Sequence, residues 1–128
     1  MDLTVSSNIR VLVVDDHLFM REAVSDLLKG LDGVEVCGQA ANGIEAVELA
    51  KQLNPDVVIM DISMPEMNGI DATSLILQNQ PDTTIFAISI HDDEIMRNKM
   101  DAAGATAYIS KNSIFKDLTE TLRKHIQV

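Results

Sequence analysis

The chain has 128 residues, 46% of them hydrophobic, which suits one domain of common size with a real buried core. Its formal net charge of −10 argues against a nucleic-acid surface, because phosphate contacts need a basic patch. No apolar run approaches the ~20 residues that span a bilayer, and Met1-Asp2-Leu3-Thr4 lacks the basic and apolar regions of a signal peptide, so neither a membrane partner nor export is expected.

A polar lead-in is expected over residues 1–8. The run Val11-Leu12-Val13-Val14 then reads as a buried strand over 9–14, ending on the pair Asp15-Asp16. Met20, Ala23, Val24, Leu27, Leu28 and Leu31 follow at helical spacing. A second strand is expected over 34–40. It contains the single cysteine, Cys37, most simply a small buried hydrophobe in a reducing cytoplasm. Asn42-Gly43 turns the chain into the apolar spacing of Ala46, Leu49, Ala50 and Leu53, and Asn54-Pro55 closes it. Strand 56–60 contains Val57-Val58-Ile59-Met60 and delivers Asp61. Ala72, Leu75 and Ile76 mark a third helix before Gln80-Pro81, and strand 84–89 ends on Ser89. Met96, Met100 and Ala103 precede Gly104. Strand 106–109 includes Tyr108 and leads to Lys111, and Phe115, Leu118, Leu122 and Ile126 form the last helical face.

Five strand–helix units with short links imply right-handed crossovers and a parallel sheet covered on both faces. The expected fold is α/β: a flavodoxin-like doubly wound (βα)5 sheet, strand order 2-1-3-4-5, forming one domain over 9–128. Its switch point lies between strands 1 and 3, which end in Asp15-Asp16 and Asp61.

Crowding Asp15, Asp16 and Asp61 together is costly, because like charges disfavour mutual ionisation. A hard divalent cation removes the conflict. Mg²⁺, or Mn²⁺ in its place, would be held by these carboxylates and by a backbone carbonyl just past Asp61, that of Ser63. The Asp61 carboxylate could then attack phosphorus to give an aspartyl phosphate. Lys111 could pair with the phosphoryl group as a point charge, and Ser89 could donate a hydroxyl hydrogen bond. Taken singly, each residue has a plainer reading: a helix cap for the acid pair, a loop hydroxyl for Ser89, a surface charge for Lys111 and a half-buried strand aromatic for Tyr108. Four strand ends supplying acid, acid, hydroxyl and ammonium in that order favour the chemistry.

Three stretches carry a family resemblance: Val11 to His17, Met60-Asp61-Ile62-Ser63-Met64-Pro65-Glu66-Met67-Asn68-Gly69, and Ala103 to Lys111. From about Ile9 to Ile126 the chain resembles a response-regulator receiver domain of two-component signalling. The resemblance implies Asp61 as phosphoacceptor for a sensor histidine kinase, Asp16 as a direct Mg²⁺ ligand and Asp15 as one acting partly through water. It also implies Ser89 as the switch hydroxyl, Tyr108 as the switch aromatic and Lys111 as the conserved-type lysine. Asp15-Asp16-His17 and Ile90-His91-Asp92-Asp93-Glu94 resemble the subgroup fused to LuxR-type helix-turn-helix output domains. Such receivers pair symmetrically when phosphorylated, so a homodimer is expected, with DNA bound by the output domain and not by this one. Asn112 stands where many receivers have proline after a cis bond, and a trans bond is expected here. His17 and His91 lack metal-ligand spacing with another histidine or cysteine, and His17 is read as a first-turn residue of helix 1.

Two other classes fit less well. A haloacid-dehalogenase-type phosphatase wants D-x-D after the first strand and a cap domain. A flavodoxin-like electron carrier wants a Ser/Thr-rich phosphate loop where Asp15-Asp16-His17 stands. A stand-alone receiver acting by protein contact remains the alternative to one with a DNA-binding output.

Overall fold

Short β-branched runs and amphipathic segments alternate as β1 (Ile9–Val14), α1 (Leu18–Lys29), β2 (Val34–Ala40), α2 (Gly43–Leu53), β3 (Val57–Asp61) and α3 (Gly69–Asn79), followed by β4 (Thr84–Ser89), α4 (Glu94–Ala103), β5 (Ala107–Ser110) and α5 (Ile114–His125). The structure, a computed structural model, describes residues 8–90 and 93–126. His91, and all of the lead-in except residue 8, lie outside the described residues. The strands form one parallel sheet in the order β2-β1-β3-β4-β5, as the alternation of elements requires.

Strand pleating divides the core in two. In β1 and β3, Val11, Val13, Val57 and Ile59 point to one face with Val24, Leu28, Leu118 and Leu122, while Leu12, Val14, Val58 and Met60 point to the other with Ala46, Ala50, Ala72 and Ile76. Every residue of β3 is buried, because both faces of this central strand are covered by helices. The register aligns Val14 with Met60, Asp61 with Ile88, and Ser89 with Ser110. The carboxyl ends of β1, β3, β4 and β5 therefore share one edge.

The helix ends follow from local chemistry. Asn42 Oδ1 accepts the Glu45 N–H at 2.9 Å while Glu45 Oε1 accepts the Ala41 N–H at 2.9 Å, a reciprocal cap on α2. Asn54 (φ 48°) and Gly104 (φ 113°) end α2 and α4 in the left-handed region. Two expectations shift. Leu31, placed on the helical face, lies beyond α1, which closes at Gly30. Cys37 is the extra residue of a bulge, since Val11 pairs with Val36 and Leu12 with Gly38, and it is only half-buried. Every peptide bond among the described residues is trans, including that before Asn112. No described helix is long and apolar enough to cross a membrane.

Candidate functional site

The shared edge gathers side chains that lie far apart in sequence. Asp15, just past β1, is fully buried, and its N–H donates to the Ala40 carbonyl at 3.1 Å. Asp61, the last residue of β3, is 3% exposed. Lys111, just past β5, reaches back between them: its Nζ lies 2.8 Å from Asp15 Oδ2 and 3.3 Å from Asp61 Oδ1. The Lys111 side chain is 4% exposed, which excludes the surface-charge reading. Its backbone N–H donates to the Ser89 carbonyl at 2.7 Å, tying β5 to the end of β4 at this point.

His17, Asp61, Ser63, Ser89, Ile90 and Lys111 line a cavity of about 100 Å³, room for a few water-sized groups. Asp15 adjoins it through Lys111, and Asp16, with a side chain 27% exposed, is not among the lining residues. Tyr108 is not among the lining residues. It is half-buried in β5, opposite Ala87, with the guanidinium of Arg97 over its ring. A larger cavity, about 660 Å³, opens among Asn54, Asp56, Gln80 and Thr83 in the α2–β3 and α3–β4 connections and contains none of the expected site residues.

The loop that contains Ser63 is clamped at both ends. The Ile62 N–H donates to Ile88 O at 3.1 Å and the Gly69 N–H to Ile62 O at 2.8 Å. A Cβ at Gly69 would stand 2.2 Å from the Asp61 carbonyl oxygen, so only glycine lets α3 begin so close to the strand end. Within the loop, Glu66 (φ 50°) and Met67 (φ 85°) both occupy left-handed backbone, a costly conformation for residues with a Cβ. The Met67 carbonyl accepts the Gly43 N–H at 3.1 Å, which ties the loop to the start of α2.

Electrostatics mark Asp61. Burial, and then the charge of Asp15, push its carboxyl up to about 7, and Lys111 opposes the rise without cancelling it. Asp61 Oδ2 is buried without a hydrogen-bond partner among the described residues. An unpaired carboxylate oxygen at the wall of a polar cavity needs a donor or a cation. Asp15, Asp16, His17 and Asp61 each offer a ligand atom, and these atoms all lie within 4.8 Å of one another. Hard oxygen donors in this number suit a divalent ion such as Mg²⁺.

Arg21 was not singled out from the sequence, and His17 was read there only as a first-turn residue of helix 1. Arg21 Nη1 donates to the Asp15 carbonyl at 2.8 Å and its Nε to Gln39 Oε1 at 3.1 Å, fixing the end of β1 against β2. His17, the N-cap of α1, brings Nδ1 to 3.1 Å from Asp16 Oδ1 and 3.3 Å from Asp15 Oδ1. Its adjacency to the acid pair was the available signal.

Residues 11–123 match the response regulator receiver domain family. The chain is 36% identical over 115 residues to the response regulator GacA of Pseudomonas viridiflava, covering 90% of this chain and 54% of that protein. It thus spans about half the length of the GacA relatives it matches. Among solved structures, it superposes on the response regulator domain of Thermotoga maritima CheB with a TM-score of 0.86, 36% identity, and coverage of 94% of this chain and 98% of that one. A LuxR-family two-component response regulator from Aurantimonas sp. SI85-9A1 gives a TM-score of 0.87 and 32% identity, covering 92% and 84%.

Proposed function

The chain belongs to the response regulator receiver domain family, and on that premise we propose that Asp61 accepts a phosphoryl group from a sensor histidine kinase and so switches the domain's conformation. The observation that carries this reading is Lys111 Nζ standing between Asp15 Oδ2 and Asp61 Oδ1, beside a cavity whose wall includes the unpaired Oδ2 of Asp61. Asp15, Asp16, Asp61 and the backbone carbonyl of Ser63 would hold Mg²⁺, or Mn²⁺ in its place. Bound there, the ion neutralises charge on the oxygens of the transferring group.

The residues of the chain do the rest. An Asp61 carboxylate oxygen attacks phosphorus, and the phosphorus–nitrogen bond of the donor histidine breaks as the new bond forms. The ammonium of Lys111, already 3.3 Å from Asp61, pairs with the arriving phosphoryl oxygens. Ser89 at the cavity wall donates its hydroxyl to one of them, and Tyr108 turns inward behind it. These contacts exist only in the phosphorylated state, and that difference is what shifts the population.

The output is part of the proposal. Coverage of about half of the GacA relatives, with likeness to a LuxR-family regulator, supports a receiver joined to an output domain. That the output binds DNA, that phosphorylation pairs the receivers and that the protein works in the cytoplasm belong to the proposal. The test of the acceptor is intact-protein mass after incubation with acetyl phosphate. One phosphoryl group is expected, dependent on Mg²⁺ or Mn²⁺, and absent in a folded Asp61→Asn variant. Labelling that persists in that variant overturns the assignment.

A further inference from the structure

We infer that His17 is a further protein ligand, beside the three acids and the Ser63 carbonyl, and biases the site towards nitrogen-accepting transition ions such as Co²⁺ relative to Mg²⁺. The inference deepens the proposed metal-dependent phosphoryl site and rests on it. His17 sits at the start of α1, yet its ring makes no capping hydrogen bond to the helix, so helix initiation does not account for its placement. Its backbone N–H donates to Asp15 Oδ1 at 2.9 Å, which anchors the residue beside the acids. Nδ1 then stands 3.1 Å from Asp16 Oδ1 and 3.3 Å from Asp15 Oδ1.

Those separations are the ones a shared ion requires. Two donors each about 2.1 Å from an octahedral cation, at right angles, lie about 3.0 Å apart. The four ligand atoms within 4.8 Å of one another also leave room for donors on opposite sides of the ion. A second observation points the same way. Asp61 Oδ2, on a residue 97% buried, has no hydrogen-bond partner among the described residues, and Asp61 shares the cavity wall with His17. The His17 side chain is itself 63% exposed, leaving the outer side of the cluster open to water and to an incoming phosphoryl group.

Carboxylates and carbonyls alone suit Mg²⁺ and Mn²⁺, whereas imidazole nitrogen adds most for ions further along the divalent series. The competing account makes His17 a cationic partner of the acids. Removing it would then strengthen every cation alike, so the two accounts predict opposite outcomes for one variant.

The experiment titrates the protein and His17→Ala with Co²⁺ and with Mg²⁺, alongside pulsed electron paramagnetic resonance of the Mn²⁺-loaded forms. His17→Ala should weaken Co²⁺ by at least about tenfold and change Mg²⁺ by less than about threefold. Wild type should show coupling of Mn²⁺ to an imidazole nitrogen, and the variant should lose it. Because the ring caps nothing, the variant should keep its circular dichroism. Bound Mn²⁺ without nitrogen coupling in the wild type, or equal changes for Co²⁺ and Mg²⁺ in the variant, overturns the inference. In either case, Mg²⁺-dependent labelling of Asp61 would leave the phosphoacceptor reading standing. A wild type that binds none of these ions overturns both.

Discussion

The guanidinium of Arg97 in α4 lies 4.5 Å from the centroid of the Tyr108 ring in β5, a cation–π contact across the helix that follows Ser89. It links the helix after Ser89, the proposed switch hydroxyl, to the aromatic proposed to follow that hydroxyl inward. A contact made in one arrangement and broken in the other biases the equilibrium by its own free energy.

Arg97→Ala should therefore ease the transition. At about 0.5–1 kcal/mol for a partly exposed cation–π pair, the shift amounts to roughly two- to fivefold in the population ratio. Labelling of Asp61 itself should stay unchanged, while the Tyr108 resonances should respond at lower beryllofluoride concentration. An unaltered titration midpoint would show that Arg97 does not restrain the ring.

Asp61 makes metal-free stability depend on pH with a definite sign. Its carboxyl is raised from 3.8 to about 7 in the folded chain, so between those values the folded state holds a proton that the unfolded state has released. This contribution is fully present below pH ~4 and is lost as pH rises through about 7. Asp61→Asn removes that dependence. Melts without metal should show little advantage for the variant below pH ~4, an advantage that grows between about pH 4 and 7, and a constant one above. Mg²⁺ should narrow the gap by stabilising only the wild type. A gap independent of pH would contradict the shift.

Lys111 separates stability from chemistry. Lys111→Met removes a buried cation from beside Asp15 and Asp61 and should destabilise the metal-free fold by roughly 3 kcal/mol at neutral pH. Mg²⁺ should recover part of that loss, since it meets the same uncompensated charge. Both Lys111→Met and Ser89→Ala should still accept some phosphoryl group on Asp61 while losing the conformational response at Tyr108. Wild-type spectral changes in both variants would remove them from the switch.

Phosphorylation adds negative charge to a chain already at −10, so this domain should show no affinity for duplex DNA at physiological salt in either state. Self-association is what should change. Sedimentation with beryllofluoride and Mg²⁺ should reveal a weak dimer, of micromolar dissociation constant or poorer, as a modest interface allows. A strictly monomeric activated domain at high concentration would favour the reading in which the switched face binds a different protein.

Strand order and the shared edge were legible in the sequence, because both depend on short-range patterns. Runs such as Val11 to Val14 and Val57 to Met60 declare buried strands, and alternation with helical spacing leaves few topologies open. A residue that follows such a run is thereby placed at the sheet edge, which is how Asp15, Asp61 and Lys111 could be brought together from chain positions far apart. What only the tertiary structure decided is how each side chain is surrounded. Lys111, plain as a surface charge by itself, is buried against two carboxylates because β5 ends on the same sheet edge and its side chain reaches past β4 to them. The Asp61 carboxyl rises to about 7 because helices cover both faces of β3 and Asp15 faces it across the edge. Glu66 and Met67 take left-handed backbone because α2 and the end of β3 clamp their loop, against the preference of residues with a Cβ. Local propensity sets each element, whereas burial, charge proximity and backbone strain are sums over neighbours that only the packed sheet and helices bring within reach.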